Sequence, residues 1–189
     1  MGELRVIGGR WKKRRLISPP AGKLKPTTDR VRTAFFNIVQ WEIEGADFLD
    51  VFAGTGIVGI EALSRGARSV TFIEANPLNV KLIERNLGRI GSPDVRMISR
   101  KARVALEFLE ARGEAFSVVF LDPPYDEEFL LEEALGLLGQ GALLRLRATV
   151  VAETRRGLKM LDAYGVLALR KIHTHGSTRL WVYEREAPA

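Results

Sequence analysis

The sequence predicts an α/β fold: a mostly parallel sheet of seven strands with helices on both faces, preceded by a small N-terminal β-hairpin. Three observations carry this. From about residue 47, short apolar segments alternate with amphipathic ones, the βα repetition of a parallel sheet. Residues 116–122 form an almost unbroken apolar run, as in a strand covered on both faces. A glycine run, Gly54-Thr55-Gly56-Ile57-Val58-Gly59, stands where the first strand gives way to a helix.

The elements follow in order. Residues 4–17 set short apolar pairs among basic residues around Gly8-Gly9, the pattern of a hairpin. Pro19-Pro20, Gly22 and Pro26 then break the chain. Thr27 or Thr28 caps a helix over 28–41, with Asp29 in its first turn and Val31, Phe35, Ile38 and Val39 at helical spacing. Strands are expected at 46–52, 69–74, 95–98, 116–122, 149–153, 166–171 and 178–183. Helices fall between them, ending near 65 and covering 77–89, 102–111 and 127–138. The expected organisation is an extension over 1–26, one body over 27–184 and a frayed tail over 185–189.

Composition narrows the chemistry. The 189 residues, 46% apolar and 28% charged, suit a globular chain burying about 70% of its extended surface. With no cysteine, a disulfide scaffold, a thiolate zinc site, an iron–sulfur cluster and a thiol nucleophile are all excluded. No uncharged apolar run approaches the ~18 residues of a membrane span. The opening Met1-Gly-Glu-Leu-Arg-Val lacks a signal-peptide core, so the expected compartment is the cytoplasm. Net charge is +6, yet residues 1–32 alone hold ten Lys/Arg and two acids, a net of +8, against −2 for the rest. A basic segment on a slightly acidic body suggests a polyanion held by one region. The alternative is a solvated basic tail.

The glycine run matches G-x-G-x-x-G, a weak signal alone. Glu74 lies 20 residues after Gly54, at the end of the next strand, where a carboxylate accepts both ribose hydroxyls. Asp50, four residues before the first glycine, would repel a pyrophosphate but suits an ammonium or sulfonium centre. S-adenosyl-L-methionine carries both cations. Alternatively, Asp50 bonds backbone amides of the turn. Asp122-Pro123-Pro124-Tyr125 ends the fourth strand: the Asp122 carboxylate and Pro123 carbonyl can accept from one NH₂ group, and Tyr125 offers a stacking face. His173 and His175 lack a third ligand, so no metal is expected, and they read as surface or RNA-contacting histidines. Trp41 and Trp181 read as core or rim aromatics, and Trp11 as a candidate for stacking on a base.

Asp50-Val-Phe-Ala-Gly-Thr-Gly56, Phe72-Ile-Glu-Ala75 and Asp122-Pro-Pro-Tyr125 resemble the class I S-adenosylmethionine-dependent amino-methyltransferases. Arg5-Val-Ile-Gly-Gly9, Arg14-Arg-Leu16, Lys25-Pro-Thr-Thr-Asp-Arg-Val-Arg32 and Phe36-Asn37 resemble the bacterial 16S ribosomal RNA guanine-N2 methyltransferases, often called the small-subunit RNA methyltransferase D family. The resemblance runs from about residue 4 to 183 in the same motif order. It implies a Rossmann-like class I methyltransferase fold and a metal-free monomer. The implied reaction is methyl transfer to a guanine N2 amine of 16S rRNA in the small ribosomal subunit or its assembly intermediate. Asp122, Pro123, Pro124 and Tyr125 would then be catalytic. Asp50, Phe52, Ala53, Gly54, Thr55, Gly56, Glu74, Ala75, Asn76, Ser99, Lys101 and Asp122 would line the cofactor site. The family places a carboxylate or amide after its third strand; Ser99-Arg100-Lys101 stands there instead, leaving adenine to backbone groups or Ser99. Arg10, Lys12, Arg14, Arg15, Lys25 and Arg30 are the candidate RNA contacts, with Arg30 and Arg32 open to an ion-pairing role. A DNA adenine-N6 or cytosine-N4 methyltransferase, a nicotinamide oxidoreductase and a non-catalytic RNA-binding assembly factor are the competing readings.

Overall fold

The computed structural model describes residues 4–19, 27–91, 94–124 and 127–187; the expectations for Lys25 and Tyr125 lie outside the described residues. In chain order the elements are α1 (Asp29–Ile38), β1 (Asp47–Val51), α2 (Ile57–Ser64), β2 (Ser69–Ile73), α3 (Pro77–Ile90), β3 (Val95–Ile98), α4 (Ala102–Ala111), β4 (Phe116–Leu121), α5 (Phe129–Leu138), β5 (Leu144–Arg155), β6 (Ala163–Tyr164), β7 (Leu167–His175) and β8 (Thr178–Arg185). They form one sheet in the order β3-β2-β1-β4-β5-β8-β7-β6. The first five strands of that order are parallel, and β8, β7 and β6 add antiparallel pairs. The two-residue β6 is the strand beyond the expected seven; it closes a tight hairpin with β7 across Gly165.

Alternation of side chains divides the core in two. Phe48, Phe72, Phe120 and Val151 face α1, α2 and α3, and Leu4, Val6 and Leu16 join them from the N-terminal segment. Leu49, Ile73, Val119 and Val150 face α4 and α5. Phe35 of α1 anchors the first side, its ring 4.7 Å from Phe120 and 4.8 Å from Phe36 between centroids. Gly59 lets α2 lie close on the sheet, because a Cβ there would come within 2.2 Å of the Phe72 ring.

Two boundaries differ from the periodicity. Thr28 caps α1 by accepting from the Val31 N–H, but the helix closes at Ile38. Trp41 therefore falls past the last turn and is 86% exposed, neither core nor rim. β5 begins at Leu144 rather than 149, because the β4–β5 register shifts between Phe116 and Val118 around Arg147, whose φ is 61°. Such a bulge interrupts the period-two pattern that a strand is read from.

The N-terminal segment forms a ribbon, with Arg5 and Arg15 bridged antiparallel. It is fastened along its length rather than loose. Asn86 accepts from the Ile17 N–H at 2.7 Å and donates to its carbonyl at 3.2 Å. Ser64 donates to the Gly8 carbonyl at 2.6 Å and accepts from the Trp11 N–H at 2.9 Å. Gly9, at φ +72°, lies so close to Ser64 that a Cβ would overlap its carbonyl oxygen.

Candidate active site

The faces of the sheet assemble the site. Two residues beyond Phe48, Phe72, Phe120 and Val151, on the same face of their strands, stand Asp50, Glu74, Asp122 and Glu153. The register pairs Asp50 with Phe72 and Phe120, so Asp50 lies one pleat deeper than Glu74 and Asp122. At the level of those two, the β1 chain has already bent into its loop at Phe52, whose φ is 65°. This left-handed conformation costs about 1–2 kcal/mol in a residue with a Cβ. It is compensated locally by the bond from the Ala53 N–H to the Ile73 carbonyl, 2.9 Å.

Asp50 is 2% exposed, and its Oδ2 accepts from the Gly59 N–H at 2.9 Å. It thus caps α2 from outside, where the helix dipole favours negative charge. The alternative of a backbone-bonding aspartate is realised, and the residue still faces the acidic edge. Burial pushes its carboxyl well above the usual value, the Gly59 bond opposes this, and Asp122 and Glu74 push it further up. Glu74 accepts from the Gly54 N–H and from the Asn76 N–H, both at 2.7 Å, so it fixes the glycine loop and the start of α3 together. Asn76 spends its side-chain oxygen on the Leu78 N–H as the α3 cap. Thr55 and Ala53 are buried, whereas Ala75, Ser99 and Lys101 are exposed around the edge.

Asp122 is half-buried, Pro123 buried and Pro124 exposed. The Pro124 carbonyl accepts from the Glu127 N–H at 2.9 Å, which turns the chain toward α5. Two residues near Asp122 escaped the sequence reading. Thr27 donates its hydroxyl proton to Asp122 Oδ2 at 2.9 Å, a contact 95 residues apart in sequence. Glu153, 5% exposed on β5, stands level with Asp122 on the neighbouring strand. The one available signal was that a third strand also ends in an acid.

The basic candidates do not converge on this edge. The Arg10 N–H donates to the Ser64 carbonyl at 2.7 Å, and Arg14 Nη1 donates to the Arg89 carbonyl at 3.0 Å. Those carbonyls end α2 and α3, helices of 8 and 14 residues that run back from the loop end of the sheet. Arg10, Lys12 and Arg14 are exposed, but sit about 12–21 Å from the glycine loop at 1.5 Å per helical residue. Arg15 is exposed on the ribbon beside them. Trp11 is half-buried against the core, with the Arg10 guanidinium 4.2 Å above its ring. Arg30 is exposed in the first turn of α1, at the Asp122 end. Arg32 is wholly buried, donating to Asp29 at 2.7 Å and to the Arg5 carbonyl at 2.9 Å, so its role is the structural one.

The edge gathers four carboxylates, Asp50, Glu74, Asp122 and Glu153, on one face of the sheet. S-adenosylmethionine fits it: a sulfonium and an ammonium relieve the mutual repulsion of Asp50, Glu74 and Asp122, whereas a pyrophosphate adds to it. Sheet order, loop and acids together make this a class I S-adenosylmethionine-dependent methyltransferase. The family model described as Conserved hypothetical protein 95 matches residues 4–184. Over 188 residues the chain is 37% identical to the ribosomal RNA small subunit methyltransferase D of Escherichia coli K12, covering 98% of this chain and 92% of that relative. The solved structure of Escherichia coli yhhF, assigned as a methyltransferase, has a TM-score of 0.84 at 34% identity, over 99% of this chain and 100% of that one. SMU.776, assigned as a methyltransferase and solved with SAH, shares the fold at a TM-score of 0.65 and 12% identity, over 82% of this chain and 48% of its own. The chain belongs to the Conserved hypothetical protein 95 family, that of the ribosomal RNA small subunit methyltransferases D.

Proposed function

We propose that this protein methylates the exocyclic N2 amine of one guanine in 16S ribosomal RNA, in the small subunit or its assembly intermediate, using S-adenosylmethionine. The observation that carries the reading is Asp122-Pro123 at the end of β4, on the face and beside the strand that hold Asp50. The name of the Escherichia coli relative, a ribosomal RNA small subunit enzyme, supports the polymer. When bound, the cofactor supplies an electrophilic methyl group; Asp50, the glycine loop and Glu74 are the residues that hold it.

The chain's own residues handle the amine. Its lone pair is delocalised into the purine ring, so it is a poor nucleophile. Hydrogen bonds from its two protons to the Asp122 carboxylate and the Pro123 carbonyl favour the pyramidal nitrogen and stabilise the positive charge as the N–C bond forms. An aspartate of ordinary pKa ~3.9 is too weak a base to deprotonate the amine beforehand. The proton leaves once the nitrogen has gained its methyl group, with Asp122 as acceptor. Thr27 donates to Oδ2 of that carboxylate and so orients it. Tyr125 stacks on the base after it leaves the helix.

Methyl transfer from labelled cofactor to small-subunit RNA, followed by nucleoside analysis, tests the assignment. N2-methylguanosine is the expected product, and Asp122→Ala abolishes it while keeping cofactor affinity. A methylated adenine or cytosine in DNA, or near-normal turnover by Asp122→Ala, overturns it.

A further inference from the structure

The charge asymmetry has a second pole. Residues 154–181 hold six Lys/Arg and one acid, a net of +5, so the chain outside this block and residues 1–32 sums to −7. The block spans the end of β5, β6, β7 and the start of β8. Unlike the ribbon, its two ends, around residue 156 and at the β7–β8 turn, lie at the catalytic end of the sheet. Arg155 pairs with Thr178, and the Arg156 N–H donates to the Ser177 carbonyl at 2.8 Å, which sets the β7–β8 turn beside the carboxyl end of β5. His173 pairs with Leu180, and Leu180 with Glu153, so His173 stands level with Asp122. Three strand spacings separate them, about 14 Å at ~4.8 Å each. That is about four nucleotide steps along a strand.

The chemistry of the patch is that of a phosphate contact. Lys171, His173 and His175 alternate on the face of β7 whose partners, Val182 and Leu180, belong to the α1 core; this is the face that carries Asp122. Lys171 and Arg156 are exposed and, among the described residues, form no ion pair. His173 and His175 are half-buried with rings stacked at 4°, a flat donor surface beside the lysine. Arg170, in the bulge next to Lys171, is by contrast paired with Glu184 and Glu186, toward the Leu167 end of β7. Acids thus neutralise the Leu167 end of β7, and the end that reaches the level of Asp122 stays positive.

We propose that Arg156, Lys171, His173 and His175 form a second nucleic-acid contact surface, which binds the sugar–phosphate backbone flanking the target base. The substrate strand then crosses the acidic edge between Arg30 and this surface, with the ribbon holding more distant phosphates. The inference rests on the RNA reading above. The competing explanation is that basic residues on an edge strand merely block edge-to-edge pairing of copies.

The test is equilibrium binding of protein-free small-subunit ribosomal RNA at several salt concentrations. Arg156→Ala/Lys171→Ala is compared with the parent, with Arg156→Gln/Lys171→Gln as the milder variant and Arg170→Ala as the control at a basic residue already paired with acids. The double variants should lower the log–log salt slope by about 1.4–1.8, at 0.7–0.9 per lost contact. Arg170→Ala should leave the slope unchanged, and cofactor affinity and thermal midpoint should hold throughout. An unchanged slope in either folded double variant, with the parent binding normally, overturns the second surface and leaves the RNA reading standing. A parent protein that binds neither this RNA nor the small ribosomal subunit overturns both.

Discussion

At Asp122, one hydroxyl donated from 95 residues away orients the group proposed to receive the substrate amine. Thr28 serves as the α1 cap, so Thr27 is released for that contact. Losing a hydrogen bond to a charged group costs about 1.5–3 kcal/mol, so Thr27→Val should lower kcat by roughly 10- to 100-fold. KM for RNA and cofactor affinity should stay near the parent values, and Thr27→Ser should restore the rate; single-turnover kinetics with calorimetry reads this split. Asp50 gives a pH prediction. Its carboxyl is raised in the folded chain from an ordinary value of 3.8, so the folded state holds a proton that the unfolded state releases earlier. Stability from this group is therefore full below the unfolded pKa and declines as pH rises from there to the raised folded value. A cationic ligand reverses the preference, so cofactor binding should release a proton and weaken on acidification through the raised pKa. Calorimetry in buffers of different ionisation enthalpy detects that proton. Asp50→Asn should raise the thermal midpoint of the cofactor-free protein at neutral pH while weakening cofactor binding.

Between elements, a buried ion cluster joins the ribbon to the body. Glu61 of α2 accepts from the Ile7 N–H and from Arg65, and lies 3.6 Å from the Arg32 guanidinium of α1. Both Arg32 and Glu61 are 0% exposed, and burial is the largest influence on each, lowering the guanidinium and raising the carboxyl against their mutual attraction. Desolvation therefore outweighs pairing, and the cluster fixes where the ribbon docks more than it adds stability. Arg32→Ala, which strands Glu61, should cost about 3–5 kcal/mol in urea denaturation. Arg32→Met/Glu61→Leu should cost clearly less, although the Ile7 N–H and Arg5 carbonyl lose their partners. Equal losses would place the cluster's role in stability itself. Element positions were legible where a pattern ran unbroken, as in the apolar run of β4 and the spaced apolar residues of α3. They were not legible at β5, where a bulge breaks the alternation, or at β6, which is too short to carry a period.

Across the whole molecule, charge is segregated into two basic poles around an acidic body, +8 and +5 against −7. The poles sit at different heights on the sheet. Replacing Lys12, Arg14 and Arg15 with Ala should weaken RNA binding and flatten its salt slope by up to about two to three units. Turnover at saturating RNA should persist, because these side chains stand away from the reacting edge. A melting curve must accompany the measurement, since Arg14 also caps α3 through the Arg89 carbonyl. The sequence alone determined the α/β class, the glycine loop, the acids at strand ends, Asp122-Pro123-Pro124-Tyr125 and the basic start. Each is written in local spacing, and spacing fixes which face or turn a residue occupies. Tertiary structure alone decided that Asp50 sits a pleat below its fellow acids, that Thr27 reaches Asp122, that the ribbon leads away from the site and that β7 leads to it. Those outcomes depend on strand order, register and helix length acting together, and packing across the sheet sets them over separations that no local pattern spans.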